Sequence, residues 1–530
     1  MTSTALAPQE DENQHPTAAA LGSGFSRERI AYWSLSVLAV YSLGRSLAFA
    51  AFVPLWFDEI LTAVVSRQRT ISDIWAALKQ GVDGSPLVFY LAEHFVSSLF
   101  TDQTFGCRVL SAAAFVSTFL LLFFFVKTRL GPWLALLSSG LLLMTPVFFS
   151  YAKEARPYSL VTAFLVLAMV CYQRVPAVYP TVGLTLSLAF ASLMHYYAVL
   201  AIIPFFIAEL CFFCFAKRIR FGVWIALLIS VVPSLLSLPM LLSLKQNWGS
   251  HFWTHLTVKG LAATYGDFFK LGSAWGFAVC LSALWLVLFP LRLEACSNEK
   301  SQPARIQFLA ERILVAGLIA LPILGFILAR LAHGPFVARY FLSSVPAICI
   351  AAAFGLRPVR PASLAACGFF LLIAFAAQEV GIWTLIKSEQ GGALEVGSRA
   401  AASVLDVPEG SRYPELPIVM SDVQQYVETW YYAQPDFSKR VFALSDPPAA
   451  VLYEGNDTRD KIVLALRPYG ATGVKDFADF SALYPRFLLY CDGSRVNWWP
   501  ARLTHDGYKL RLLGVHAPFA VYLAESPNSQ

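Results

Sequence analysis

Charge is scarce in this chain. Of its 530 residues only 14% are Asp, Glu, Lys or Arg, little more than half the share a soluble globular domain carries. With 57% hydrophobic residues and a mean hydropathy of +0.58, a chain that is soluble throughout is excluded. The N-terminal stretch lacks the apolar core of a cleaved signal peptide. It is polar and contains Pro and Gly, so residues 1–28 are expected to be disordered, with the first span serving as an uncleaved anchor. The polar tail offers no Gly-rich phosphate loop, nucleophile motif or cluster of metal ligands, and no clear internal repeat is found. Of nine cysteines, eight lie in or beside apolar runs and Cys491 stands alone in the tail, so no disulfide framework can form there. Buried free thiols are the plain reading.

What is abundant is long apolar runs. About eleven reach or approach the ~20 residues a helix needs to cross a bilayer: 29–53, 106–126, 132–149, 158–173, 179–194, 197–216, 221–243, 272–291, 313–332, 341–356 and 362–386. The net charge of +6 does not point to nucleic acid, because Lys and Arg cluster in short gaps such as "KTR" (127–129), "KRIR" (217–220) and "RPVR" (357–360). Basic short loops mark the cytoplasmic face. That places 1–28, 127–131, 174–178, 217–220, 292–312 and 357–360 inside. Outside lie 54–105, "SYAKEARPY" (150–158), "HYYA" (195–198), 244–271, "HGPFVARY" (333–340) and the tail. The expected organisation is a cytoplasmic N-terminus (1–28), a membrane domain (29–390) and an extracytoplasmic α/β domain (391–530).

The loop 54–105 is too long for a simple connector. "DEILTAVVSRQ" and "ISDIWAALKQG" have helical spacing that suits short helices on the membrane surface, and "LVFYLAEHFVSSLF" resumes the pattern after Gly81, Gly84 and Pro86. In the tail, "LPIVMSD", "KRVFALSD", "RFLLYCD", "YKLRLLGV" and "FAVYLAE" read as strands, and "VQQYVETWYYA", 460–467 and 475–484 as helices.

The polar groups with chemical promise gather on the outer side. Asp58 and Glu59 have two readings: acids opening an interfacial helix, whose N-terminal dipole favours negative charge, or a general base. Asp83 in "GVDGSP" has the form of a turn aspartate. Arg156 and Arg339 could be snorkelling cations or bidentate phosphate ligands. His195 reads as an interfacial histidine or a site residue. His251 and His255 have the i,i+4 spacing of a helical metal pair, with no third ligand nearby.

In order, "WFDEILTAVVSRQ", "DGSPLVFYLAEHF", "RVLSAAAF", "YAKEARPYSL", "HYYA" and "RYFLSSVPA" resemble the bacterial membrane glycosyltransferases of the dolichyl-phosphate-mannose–protein mannosyltransferase type, which have the GT-C fold. The resemblance spans roughly residues 30–390. It implies a polyprenyl-phosphate-linked sugar donor, transfer to a lipid, glycan or protein acceptor at the outer face, and an acidic base in the first outer loop. By position Asp58 matches that base, with Glu59 beside it. Arg156, Arg339 and His195 match cationic or polar positions assigned here to the donor phosphate, and Asp83, Tyr90, Glu154, Tyr158 and Tyr340 to substrate binding. One departure stands out: where relatives often carry "HPPLYY", this chain has Gly84 and Ser85 in place of a histidine and a proline. Metal dependence is left open: the adjacent carboxylates could hold a divalent cation, Mg or Mn, near the phosphate, while the resemblance also includes metal-free enzymes. The competing class is a transporter or lipid-linked-sugar flippase with an extracytoplasmic domain; transporters place ionisable groups at the membrane midplane, whereas here they collect at one rim.

Overall fold

The computed structural model describes residues 18–248, 251–252, 254, 256–288, 302–396, 404, 407–493 and 497–527. Each of the eleven apolar segments contains helix. In chain order the helices of the first part are α1 (Ala18–Phe52), α2 (Phe57–Ser66), α3 (Ile71–Lys79), α4 (Leu87–Ser97), α5 (Gln103–Leu130), α6 (Pro132–Met144), α7 (Pro146–Ala152), α8 (Tyr158–Tyr172) and α9 (Val178–Met194). They continue with α10 (Ile202–Ala216), α11 (Phe221–Leu236), α12 (Leu238–Trp248), α13 (Val258–Phe269), α14 (Ser273–Leu288), α15 (Gln302–Ile319), α16 (Leu321–Ala332), α17 (Ser344–Leu356) and α18 (Pro361–Val396). Among the described residues four helices are long and apolar enough to cross a membrane, and eight spans result if each bent pair counts as one. The bends follow from the sequence. Pro146 at the first turn of α7 cannot continue the α6 ladder, and the pair turns by 73°. The pair α15–α16, with Pro322 at its break, turns by 51°.

Two expectations are corrected. Residues 18–28, expected to be disordered, already belong to α1, while 1–17 lie outside the described residues, as do residues 292–301 of the basic loop 292–312. Nor do the ionisable groups all collect at one rim, because Arg45 pairs with Glu379, Arg129 with Glu311 and Arg220 with Glu209. Each cation thus reaches an acid on another helix or the preceding one, as an ionised group in an apolar bundle must. The loops 127–131 and 174–178 and the Arg220 junction meet at one end of the bundle, where Thr128 bonds Gln173 and Arg220 bonds Gln307. The corners 54–105, 150–158, 195–198 and 333–340 meet at the other.

The tail is an α/β domain with a six-stranded sheet. Its strands are β1 (Ile418–Met420), β2 (Val441–Ser445), β3 (Val474–Asp476), β4 (Arg486–Asp492), β5 (Lys509–His516) and β6 (Phe519–Glu525), in the order β3-β2-β1-β4-β6-β5. The first four in that order run parallel, and β6 runs antiparallel to β4 and β5. Helices α19 (Pro408–Arg412), α20 (Val423–Tyr432), α21 (Pro435–Ser438), α22 (Pro447–Glu454), α23 (Thr458–Ala465), α24 (Phe477–Leu483) and α25 (Trp499–His505) connect them. Helix α20 follows β1, and Asp422 caps it by accepting from Gln425 N at 3.0 Å. The tail is docked onto the first part: the Tyr432 hydroxyl accepts from Leu55 N at 2.6 Å, and Thr458 donates to the His251 carbonyl at 3.2 Å. Helix α2, expected to lie on the membrane surface, is instead buried along nearly its whole length.

Candidate active site

The corners at one end of the bundle enclose a cavity of ≈ 150 Å³. Its wall includes Asp58, Asp83, Arg156, Tyr158, His195, Arg339 and Tyr340, seven of the ten residues singled out in the sequence. They come from α2, the α3–α4 loop, the start of α8, the end of α9 and the turn before α17. Trp56, Trp248 and Phe252 add aromatic surface, and Gln424, Thr458, Arg459 and Ile462 bring the tail to the same cavity.

Asp58 occupies the first turn of α2, and its carboxylate pairs with Arg339 at 3.3 Å. Both groups keep part of their surface open, 14% and 17% for the side chains, so the pair is reachable from the cavity. Arg339 also lies 6.0 Å from the Tyr158 ring centroid, a cation–π contact. Arg156 is more fully engaged. Its Nη1 donates to Asp83 Oδ2 at 2.7 Å, Thr62 Oγ1 at 3.0 Å and the Asp58 carbonyl at 3.1 Å. Asp83 additionally accepts from Thr62 at 3.1 Å and from Gly84 N at 2.7 Å. Arg156 therefore ties the α8 corner to α2 and to the turn that carries Asp83.

Three of the ten are not on the cavity wall. Glu59 is fully buried and accepts from Arg108 Nε at 2.6 Å, Arg108 Nη2 at 2.5 Å, Ala155 N at 2.8 Å and Trp56 N at 3.2 Å. It is turned away from the cavity that Asp58 lines, because successive helical residues point about 100° apart, and both Glu59 oxygens are taken. Tyr90 is buried and receives Ser85 N at 3.1 Å, so it supports the loop from behind. Glu154 sits beneath the site. Burial, with Glu59 and then Asp58 nearby, pushes its carboxyl up to about 8. Tyr340 packs 4.7 Å from His195 and 5.0 Å from Tyr197. Burial, reinforced by Arg156 and Arg339, lowers the His195 imidazole to about 3. It is neutral at physiological pH and can offer one N–H donor but no charge.

The carboxylate pair that suggested a metal does not converge. Among the described residues no group of three or more His, Cys, Asp or Glu could hold a metal ion; Glu59 is spent on Arg108 and Asp58 faces Arg339. His255 lies outside the described residues.

Residues 83–237, under a third of the chain, match the family model described as dolichyl-phosphate-mannose-protein mannosyltransferase. No curated protein sequence matches the chain. Among solved structures it is similar to ArnT from Cupriavidus metallidurans bound to undecaprenyl phosphate, at 12% identity and a TM-score of 0.53, covering 93% of this chain and 97% of that one. It is also similar to the Archaeoglobus fulgidus oligosaccharyltransferase in complex with Zn and sulfate (12% identity, TM-score 0.47, 91% and 72% covered). A third match is AglB from the same organism with an inhibitory peptide and a dolichol-phosphate (10% identity, TM-score 0.47, 94% and 74% covered). The ArnT likeness extends over both the bundle and the tail, and the fold is of the GT-C mannosyltransferase type.

Proposed function

We propose that this chain is a glycosyltransferase that moves a sugar from a polyprenyl-phosphate donor to a hydroxyl of a lipid, glycan or protein acceptor, on the outer face of a membrane and with inversion. The observation that carries the reading is the Asp58–Arg339 pair in a cavity between an apolar bundle and a polar domain. An acid and a cation at one place are what a displacement at a phosphate-linked sugar needs.

In the proposed reaction the acceptor oxygen bonds to the anomeric carbon while the bond from that carbon to the phosphate oxygen breaks. The acceptor proton passes to the Asp58 carboxylate. The electron pair leaves with the phosphate, whose charge goes from one negative to two. A cation on that oxygen is therefore worth more in the transition state than in the ground state. Arg339 takes this role, exchanging its contact with Asp58 for the phosphate and freeing the carboxylate to accept a proton. Arg156, already engaged by Asp83, Thr62 and the Asp58 carbonyl, is a positioning residue that fixes α2. His195 contributes a neutral hydrogen bond. The apolar flanks of the bundle accommodate the prenyl chain.

The test is transfer from a labelled undecaprenyl-phosphate sugar to envelope acceptors. Asp58→Asn is expected to lower turnover about 10²–10⁴-fold, the usual worth of a general base, with donor-lipid binding retained. Near-normal turnover in a folded Asp58→Asn protein rules the assignment out. Counterflow of lipid-linked sugar in liposomes without covalent transfer would favour a transporter instead.

A further inference from the structure

Trp248, the last residue of α12, is half-buried and forms part of the cavity wall. Its indole Nε1 donates to the Gly81 carbonyl at 3.2 Å, which fixes the ring. A Cβ built on Gly84 would stand 2.2 Å from Trp248 Cη2 and 2.8 Å from Cζ3. The ring therefore rests directly on the Gly84 backbone, a contact that only glycine allows. Gly84 is the position where the resemblance leads one to expect a histidine, so the missing side chain and the seated indole are two halves of one replacement. Phe252 lies beside it at 5.9 Å between ring centroids.

The tail contributes the polar half of this surface. Gln424 stands in the first turn of α20, and Thr458 and Arg459 in the first turn of α23. The Arg459 guanidinium lies 3.5 Å from Glu454 and 3.8 Å from Asp422, so its charge is balanced while its planar donors stay oriented. An aromatic face beside an amide and a charge-balanced guanidinium suits a ring with one apolar face and equatorial hydroxyls.

We propose that Trp248, seated on Gly84, together with Gln424 and Arg459 forms a subsite for a neutral pyranose ring, stacked on the indole and hydrogen-bonded by the tail. This deepens the glycosyltransferase reading and rests on it: the tail would help to select which sugar enters. The ring could belong to the acceptor or to the donor.

The experiment uses the full chain in nanodiscs and reads methyl hexoside binding by saturation-transfer NMR, with undecaprenyl phosphate binding measured separately. Trp248→Ala and Gly84→Ala, which displaces the indole, are each expected to weaken glycoside binding by about tenfold or more, as loss of a stacked aromatic does. Trp248→Phe should restore most of it, and undecaprenyl phosphate binding should stay within about twofold of the parent in all three. Glycoside retained in the presence of an undecaprenyl-phosphate hexose assigns the subsite to the acceptor, and displacement assigns it to the donor sugar; both support it. Unchanged glycoside binding in folded Trp248→Ala and Gly84→Ala overturns it. Because binding is read without turnover, a protein that binds the glycoside yet transfers nothing would overturn the enzymatic reading and leave the subsite standing.

Discussion

Removing the cation behind the site exposes what holds Asp58 in place. Glu59 and Arg108 are 0% and 1% exposed, and Arg108 supplies two of the four donors that satisfy the carboxylate. Arg108 also bonds the Val53 and Pro54 carbonyls, closing the turn that feeds α2. Arg108→Met strips both donors and the charge, leaving a buried carboxylate with only Trp56 N and Ala155 N. Loss of one partner of such a pair costs about 3–5 kcal/mol. Replacing both members by apolar residues of similar size, Glu59→Leu with Arg108→Met, costs much less because no lone charge remains. Thermal melts of the purified full chain in one detergent, alongside transfer assays, read both effects. The single variants should melt well below the parent, and the double variant should recover most of the loss without recovering activity, since the Glu59 bond to Ala155 N also orients the corner that carries Arg156. An Arg108→Met protein that melts with the parent, or a double variant whose loss equals the sum of the singles, would refute the reasoning.

Other outcomes follow from the same geometry. Arg339→Ala should lower kcat and kcat/KM together by about 10²–10³-fold, as removal of a transition-state donor does, whereas a rise in KM alone would assign it to ground-state binding. Because the Glu154 carboxyl lies near 8 against an ordinary 4.5, its protonated form favours the fold; that stability is complete below about 4.5 and is lost as pH rises to about 8. Glu154→Gln should therefore flatten the fall in melting temperature between pH 5 and pH 8, and an unchanged slope counts against the burial argument. With His195 lowered to about 3, donor-lipid affinity should show no titration near pH 6.5; a step there that vanishes in His195→Gln would mean the imidazole does charge.

Much of the architecture is readable from periodicity. Each of the eleven apolar runs contains helix, because hydrocarbon leaves a buried backbone little else to form, although four helix pairs bend at breaks, and five strands of the tail follow from β-branched and aromatic runs. The three-residue β3 falls inside a stretch expected to be helical, since so short a strand carries no alternation of its own and is held by β2. At the cavity, Asp58 and Arg339 stand out because acids and cations are rare in this chain. Glu59 misleads, since adjacency in sequence is divergence on a helix. Arg108 in "RVLSAAAF" carries a signal of its own: an arginine near the start of an apolar helix demands a buried acid, and the fold supplies Glu59. Gln424 and Arg459 could not be found this way, because they reach the cavity only through docking of the tail, and Trp248 reaches it from the end of α12; neither arrangement leaves a local mark in the sequence.

Helices α8 and α9 have 15 and 17 residues, or about 23 and 26 Å at 1.5 Å per residue. Their far ends meet in the polar connection 173–177, while their near ends are Tyr158 and the residue before His195, both beside the cavity. A hydrocarbon layer of ~30 Å is deeper than these two helices by several ångströms. With their far ends held at the opposite headgroups, the chamber of the proposed reaction would lie below the nearer headgroup plane, where a phosphate on a long isoprenoid could arrive sideways without being lifted into bulk water.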